Sequence, residues 1–260
     1  MTRIIAVTNQ KGGVGKTTTC VNLAASLAAN RRRVLMVDLD PQGNATVGAG
    51  VDKDELAASN YELLMGETDA EAVRQSAVDG AFDVLPANGD LTAAEVALLE
   101  LDHRERRLAD ALASLAGEYD YVLVDCPPSL NILTVNALVA ADRVLIPIQC
   151  EYYALEGLTA LLDTIRRVQQ TANPSLEIEG LLRTMFDPRN NLANQVGAQL
   201  LAHFDDKVYR TQIPRNVRLA EAPSHGRPAL QYDRTSRGAI SYMALASELL
   251  RRERRAATSA

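Results

Sequence analysis

Directly after its first apolar run, Ile4-Ile5-Ala6-Val7, the sequence reads Asn9-Gln10-Lys11-Gly12-Gly13-Val14-Gly15-Lys16-Thr17-Thr18 and then passes into a helical pattern. A glycine-rich turn between a buried strand and a helix admits few folds, because the helix must return over a parallel sheet. The segment ends as a phosphate-binding loop ends, although Gln10 stands where the pattern G-x-x-x-x-G-K-[ST] has its first Gly. Gly12, Gly13 and Gly15, with Val14 between them, leave room for backbone N–H groups to curl round phosphate oxygens. The helix N-terminus that follows favours an anion through its dipole. Lys16 is placed to reach β- and γ-phosphates and the Thr17 hydroxyl to ligate Mg2+, so Lys11 to Thr18 form the candidate nucleotide-binding segment. A plain connecting turn accounts for the glycines but not for Lys16-Thr17 at this offset.

The rest of the chain repeats the strand-then-helix rhythm. Val34 to Val37, Tyr121 to Val124 and Val144 to Ile148 are short, β-branched and nearly free of polar residues, as strands buried on both faces are. Helical patterns cover Thr17 to Asn30, Arg104 to Ala116, Asn131 to Ala140 and Leu155 to Gln170. A further strand near Ile178 to Thr184 and a helix near Arg237 to Arg254 extend the series. The spacing predicts an α/β fold, a doubly wound, mostly parallel sheet with helices on both faces. No Ser/Gly-rich linker or repeat interrupts it, so residues 1–255 read as one domain and 256–260 as a frayed tail.

Two more acidic segments sit at strand ends. In Val37-Asp38-Leu39-Asp40-Pro41-Gln42-Gly43-Asn44 the carboxylates fall at the crevice where open α/β sheets bind ligands. Asp38 is the more buried and is expected to support Mg2+ through water; Asp40, in the turn, is expected to orient an attacking water. The alternative is an Asp-Pro-Gln-Gly turn with no chemistry. Val122-Leu123-Val124-Asp125 is a hydrophobic strand running into a Walker B carboxylate, so Asp125 is the third candidate metal residue.

Composition removes other classes. The chain has 260 residues, 47% hydrophobic and 23% charged, which excludes disorder as its main state. Cys20, Cys126 and Cys150 form neither a disulfide framework nor a zinc pattern and read as reduced thiols, and His103, His203 and His225 are scattered. No apolar run reaches the roughly 20 residues of a membrane helix. The net charge of −6 argues at first against nucleic acid, but it is a sum of unlike parts. Residues 1–182, which hold the nucleotide motifs, carry 14 Lys+Arg against 26 Asp+Glu, net −12, whereas residues 183–260 carry 13 against 7, net +6.

These motifs, with Gln149-Cys150-Glu151-Tyr152-Tyr153-Ala154-Leu155-Glu156-Gly157 and Ile213-Pro214-Arg215-Asn216-Val217-Arg218, closely resemble the ParA/Soj chromosome-partitioning ATPases, P-loop NTPases of the deviant Walker A type. The resemblance runs from Ile4 to about Leu250. It implies a Mg-dependent ATPase that closes into a homodimer on ATP and binds double-stranded DNA without sequence preference. Release would follow when a ParB-type partner stimulates hydrolysis, and the protein would be cytoplasmic and nucleoid-associated, with no membrane partner. By the same resemblance Lys11 is the signature lysine that reaches the other subunit's nucleotide, and Lys16 and Asp40 join it as catalytic residues. Pro214 and Asn216 are candidates for the adenine, and Arg189 and Arg218 for DNA. Pairing of those arginines with Asp187, Glu221 and Asp233 is the competing reading. The chain starts almost at its first strand, so the N-terminal helix-turn-helix of larger plasmid partition proteins, and the operator-specific autorepression it brings, is not expected. A MinD-like membrane switch would need an amphipathic C-terminal helix, but Leu249-Leu250 is followed by charges. A relative of the nitrogenase iron protein would need cluster-ligating cysteines.

Overall fold

In the computed structural model, which describes residues 2–259, the apolar runs become strands of one eight-stranded sheet. The strands are β1 (Arg3–Val7), β2 (Val34–Asp38), β3 (Gln75–Ser76), β4 (Asp83–Leu85), β5 (Tyr121–Asp125), β6 (Arg143–Gln149), β7 (Glu177–Thr184) and β8 (Val208–Gln212). Their order is β3-β4-β2-β5-β1-β6-β7-β8, and every neighbouring pair is parallel except β3 with β4. This is the doubly wound α/β architecture that the rhythm predicts.

Side-chain alternation explains why both faces are covered. Along β2, Leu35 and Val37 enter one core while Val34 and Met36 enter the other; in β1, Ala6 opposes Ile5 and Val7. Helices Ile132–Ala140, Ala154–Thr171 and Asn191–Phe204 close the first core. Helices Lys16–Ala29 and Arg237–Ser259 close the second and pack on each other. Each fully buried Leu or Ile contributes about 1.5–3 kcal/mol, so two such cores hold the sheet from both sides.

Several boundaries differ from the sequence reading. The helix expected over Arg104 to Ala116 is confined to Arg107–Ala113, because a turn with His103 at φ 53°, outside helical space, precedes it. The last helix, expected to stop at Arg254, runs to Ser259, so residues 256–259 of the expected tail are helical; Ala260 lies outside the described residues.

The charge asymmetry also becomes spatial. Residues 51–120, the segment between β2 and β5, carry 17 Asp+Glu against 5 Lys+Arg, net −12, which equals the whole excess of residues 1–182. The acidity therefore belongs to the flank bearing β3 and β4 and not to the nucleotide motifs as a group. The basic residues 183–260 include β8 at the opposite edge.

Register fixes the site. Asp38 of β2 lies opposite Asp125 of β5, and Asp125 lies opposite Val7 of β1, so both carboxylates sit beside the loop that leaves β1.

Candidate nucleotide site

The loop after β1 is held in place before any ligand arrives. Asn9 Nδ2 donates to the Pro147 carbonyl at 2.8 Å, and Asn9 Oδ1 accepts from the Lys11 N–H at 3.0 Å. Pro147 has no N–H to give, and the β1 ladder has ended at Leu145, so its carbonyl is available to Asn9. On the other side, the Thr184 hydroxyl donates to the Val14 carbonyl at 2.7 Å. Gly15 adopts φ 88°, a conformation glycine enters without strain, and it starts helix Lys16–Ala29 with no side-chain cap. The first N–H groups of that helix are therefore left for an anion.

This loop forms one wall of a cleft of about 430 Å3 at the C-terminal ends of the strands. Gly12, Gly13, Gly15, Lys16, Thr17 and Thr18 line it, with Asp40 and Asn44 beyond them and Pro214 and Asn216 on the far side. Lys16 is only 7% exposed, and its ammonium donates to the Lys11 carbonyl at 3.3 Å. Burial lowers its pKa, opposed by the charges of Asp125 and Asp40. The lysine is thus a desolvated cation with one weak neutral partner, poised for a stronger anionic one.

Asp125 is fully buried, and among the described residues neither of its oxygens has a donor in hydrogen-bonding geometry. Burial and the neighbouring Asp38 charge push its pKa well up; the Thr17 hydroxyl beside it pulls the other way. A buried carboxylate without donors, next to a hydroxyl and facing a phosphate loop, fits a hard oxygen-seeking cation. No group of three or more His, Cys, Asp or Glu among the described residues could hold a metal alone. A cation here would need phosphate oxygens and water to complete its shell, which is the habit of Mg2+.

Asp38 has a different occupation from the one its sequence position suggests. Oδ2 accepts from the Thr46 N–H and the Thr46 hydroxyl, both at 2.8 Å, and Oδ1 accepts from the Asp40 N–H at 3.1 Å. Burial raises its pKa to about 6 against these donors. Both Asp38 oxygens accept hydrogen bonds from the segment that presents Asp40, so Asp38 shapes this loop, whereas the Asp125 oxygens beside Thr17 have no donor in hydrogen-bonding geometry among the described residues. Asp40 stays half-buried on the cleft wall, with Oδ1 accepting from the Gln42 N–H at 3.0 Å. Gly43 closes this turn at φ 64°, where a Cβ would lie 2.7 Å from the Ala87 carbonyl.

On the far wall the Asn216 Oδ1 is buried and has no donor among the described residues, as an acceptor suited to a ligand N–H would be. Pro214 lines the cleft beside it. Three contributors had no motif to announce them. Tyr242, from the last helix, is 1% exposed and shares a 3.1 Å hydrogen bond with the Thr19 hydroxyl. Thr46 is the partner of Asp38. Met185, a bulky residue at φ 48°, lines the cleft where β7 ends. Such left-handed strain concentrates at ligand sites. Only the polar stretch before Thr46 hinted at any of the three.

The other predicted residues lie outside the phosphate wall. Lys11 points to Glu151, with Nζ 2.6 Å from Oε2. The Arg189 guanidinium makes two bonds to Asp187, at 2.9 and 2.8 Å, and Arg218 pairs with Glu221 at 2.7 Å and with Asp233 at 3.3 Å. Both arginines are exposed, and their ion pairs are of the exchangeable surface kind. The thiols of Cys20, Cys126 and Cys150 are buried, and burial pushes all three pKa values up. No helix among the described residues is long and apolar enough to cross a membrane.

Comparison with known proteins agrees with this geometry. The AAA domain family matches residues 2–178. The chromosome partitioning protein ParA of Myxococcus xanthus is 53% identical over 251 residues, covering 96% of this chain and 89% of its own. The sporulation initiation inhibitor protein Soj of Bacillus subtilis is 53% identical over 249 residues, 96% of this chain and 98% of its own. Among solved structures, cobyrinic acid a,c-diamide synthase of Mycobacterium smegmatis with bound ATP analog and magnesium superposes with a TM-score of 0.86 at 41% identity. It covers 98% of this chain and 96% of that one.

Proposed function

The chain belongs to the ParA/Soj family of chromosome-partitioning ATPases, and from that premise we propose that Mg-ATP bound in this cleft switches it between a free and a DNA-bound form. The observation that carries the reading is Asp125, whose two buried oxygens have no donor in hydrogen-bonding geometry among the described residues and sit beside the Thr17 hydroxyl. Mg2+ held by Thr17 and Asp125 would neutralise charge on the β- and γ-phosphates. Lys16 exchanges the Lys11 carbonyl for phosphate oxygens, and the free N–H groups after Gly15 cradle the same anion. Asp40, held by Asp38, orients a water in line with the γ-phosphorus. The new P–O bond forms to that water, the bond to ADP breaks, and the water's protons leave with phosphate and solvent. Asn216 accepts from the adenine amino group, with Pro214 against the ring.

In this reading residues 1–255 act as one ATPase domain and ATP closes two copies face to face, with Lys11 of each reaching the other's nucleotide. Closure brings two sets of Arg189 and Arg218 to one surface, where they trade carboxylate partners for DNA phosphates, giving salt-dependent binding without base readout. A ParB-type partner accelerates hydrolysis and releases the DNA, so the protein cycles between cytoplasm and nucleoid. Helix Val217–Glu221 starts directly after Asn216, so Arg218 lies on the element that leaves the adenine wall. Arg218→Glu is expected to keep ATP turnover while Mg-ATP-dependent DNA affinity falls about tenfold or more and the salt slope drops by about two per dimer. Asp40→Ala, measured alongside, should keep ATP-dependent DNA binding but lose turnover. Undiminished DNA binding by Arg218→Glu would remove that arginine from the surface.

A further inference from the structure

Lys11 is the residue that the proposed function sends across the dimer interface, yet in the single subunit its ammonium is held 2.6 Å from Glu151 Oε2. Both ends of this pair are anchored to β6. Glu151 lies two residues beyond Gln149; its N–H donates to the Gln149 carbonyl at 2.8 Å and its own carbonyl accepts from the Ala154 N–H at 3.0 Å, so a turn fixes its position. Lys11 is tied through Asn9 to the Pro147 carbonyl. The Lys11 carbonyl also accepts from the Lys16 ammonium at 3.3 Å, so the two loop lysines are linked to each other and, through Lys11, to Glu151.

We infer that Glu151 is a positioning residue that keeps Lys11 on its own subunit and thereby sets the protein concentration at which ATP draws two copies together. This rests on the proposed dimer. Two consequences of closure act in the same direction. Lys11 must leave Glu151 to reach the other nucleotide, and the carboxylate it leaves behind is then covered without its counter-ion. Glu151 is followed by Tyr152 and Tyr153, 76% and 66% exposed, so the pair sits on a rim that a second copy would shield from water. The pair is itself partly exposed, at 39% and 47% for the two side chains, so it opposes closure modestly. Two pairs open per dimer, and exposed pairs of this kind amount together to a factor of about two to thirty in the dimerisation constant.

The test is sedimentation velocity of the full chain with Mg-ATP across a protein dilution series. Glu151→Gln should dimerise at about two- to thirtyfold lower concentration than wild type, whereas Glu151→Asp, which keeps the charge, should stay near wild type. Thermal melting of all three should coincide, which separates positioning from a folding defect. A Gln variant that dimerises no more readily than wild type, while wild type still closes with ATP, overturns the role of Glu151 and leaves the dimer standing. A wild type that stays monomeric at every ATP concentration overturns the dimer reading itself, and this inference with it.

Discussion

Lys16→Ala is expected to lower kcat/KM for ATP by about 10²–10³-fold or more, the usual loss when one preorganised charge on a transferring phosphoryl group is removed. The same change should leave the nucleotide-free fold intact. Lys16 is almost wholly buried, burial lowers its pKa, and its one hydrogen bond is a 3.3 Å contact to a carbonyl. Such an ammonium costs the apo protein desolvation energy and returns little packing, so its loss should not lower the melting temperature. Steady-state turnover together with a thermal melt checks both halves. Lost turnover with a collapsed fold would mean that Lys16 is a structural cation.

Asp125→Asn carries the second large effect, with opposite signs on activity and stability. Mg-dependent turnover should fall by at least about 10²-fold, because the amide cannot supply the charge that the cation needs. Stability of the nucleotide-free protein should rise, since wild type buries a carboxyl group with no donor in hydrogen-bonding geometry among the described residues beside the equally buried Asp38. Asparagine keeps the shape and removes the cost of burying an ionisable carboxyl, so Tm should rise, by about 2–4 °C for each kcal/mol relieved in a chain of this length. The pH dependence gives an independent check. Asp38, pushed up to about 6, and Asp125, pushed well above the usual carboxylate range by burial and the Asp38 charge, hold protons in the folded state that the unfolded chain releases near pH 4. The contribution of these two groups to stability is therefore full below about pH 4 and is lost as pH rises through their folded-state values. Asp125→Asn removes its own share of that decline, so its Tm should change less than wild type between pH 4 and 7. A steeper loss in the variant would contradict the raised pKa of Asp125.

How much of this was legible in the sequence depends on how local each signal is. The phosphate loop was legible because its glycines, Lys16 and Thr17 are adjacent and each residue type answers one chemical need. Asp38 and Asp125 were legible as strand ends, but their division of labour was not. It depends on Thr46, eight residues past Asp38, folding back to occupy that carboxylate and leaving Asp125 bare. The adenine contact proposed for Asn216 came through resemblance alone, since no local motif marks a residue whose side-chain oxygen is left without a donor among the described residues only once β8 lies at the sheet edge. Tyr242 reads as one more apolar residue of a long helix until that helix packs on Lys16–Ala29. The strands β3 and β4, two and three residues long, are too short for any period to register. Their flank matters nonetheless, because it carries the negative charge that the total had spread over the nucleotide motifs.

If nucleotide state, read in this cleft, decides whether the chain holds DNA, then DNA binding must follow the nucleotide. A gel shift of the wild-type chain on a duplex of arbitrary sequence, with Mg-ATP, Mg-ADP and no nucleotide, tests it most directly. Mg-ATP alone should shift the duplex, and the shift should fade as salt is raised. Equal shifts under all three conditions would contradict it.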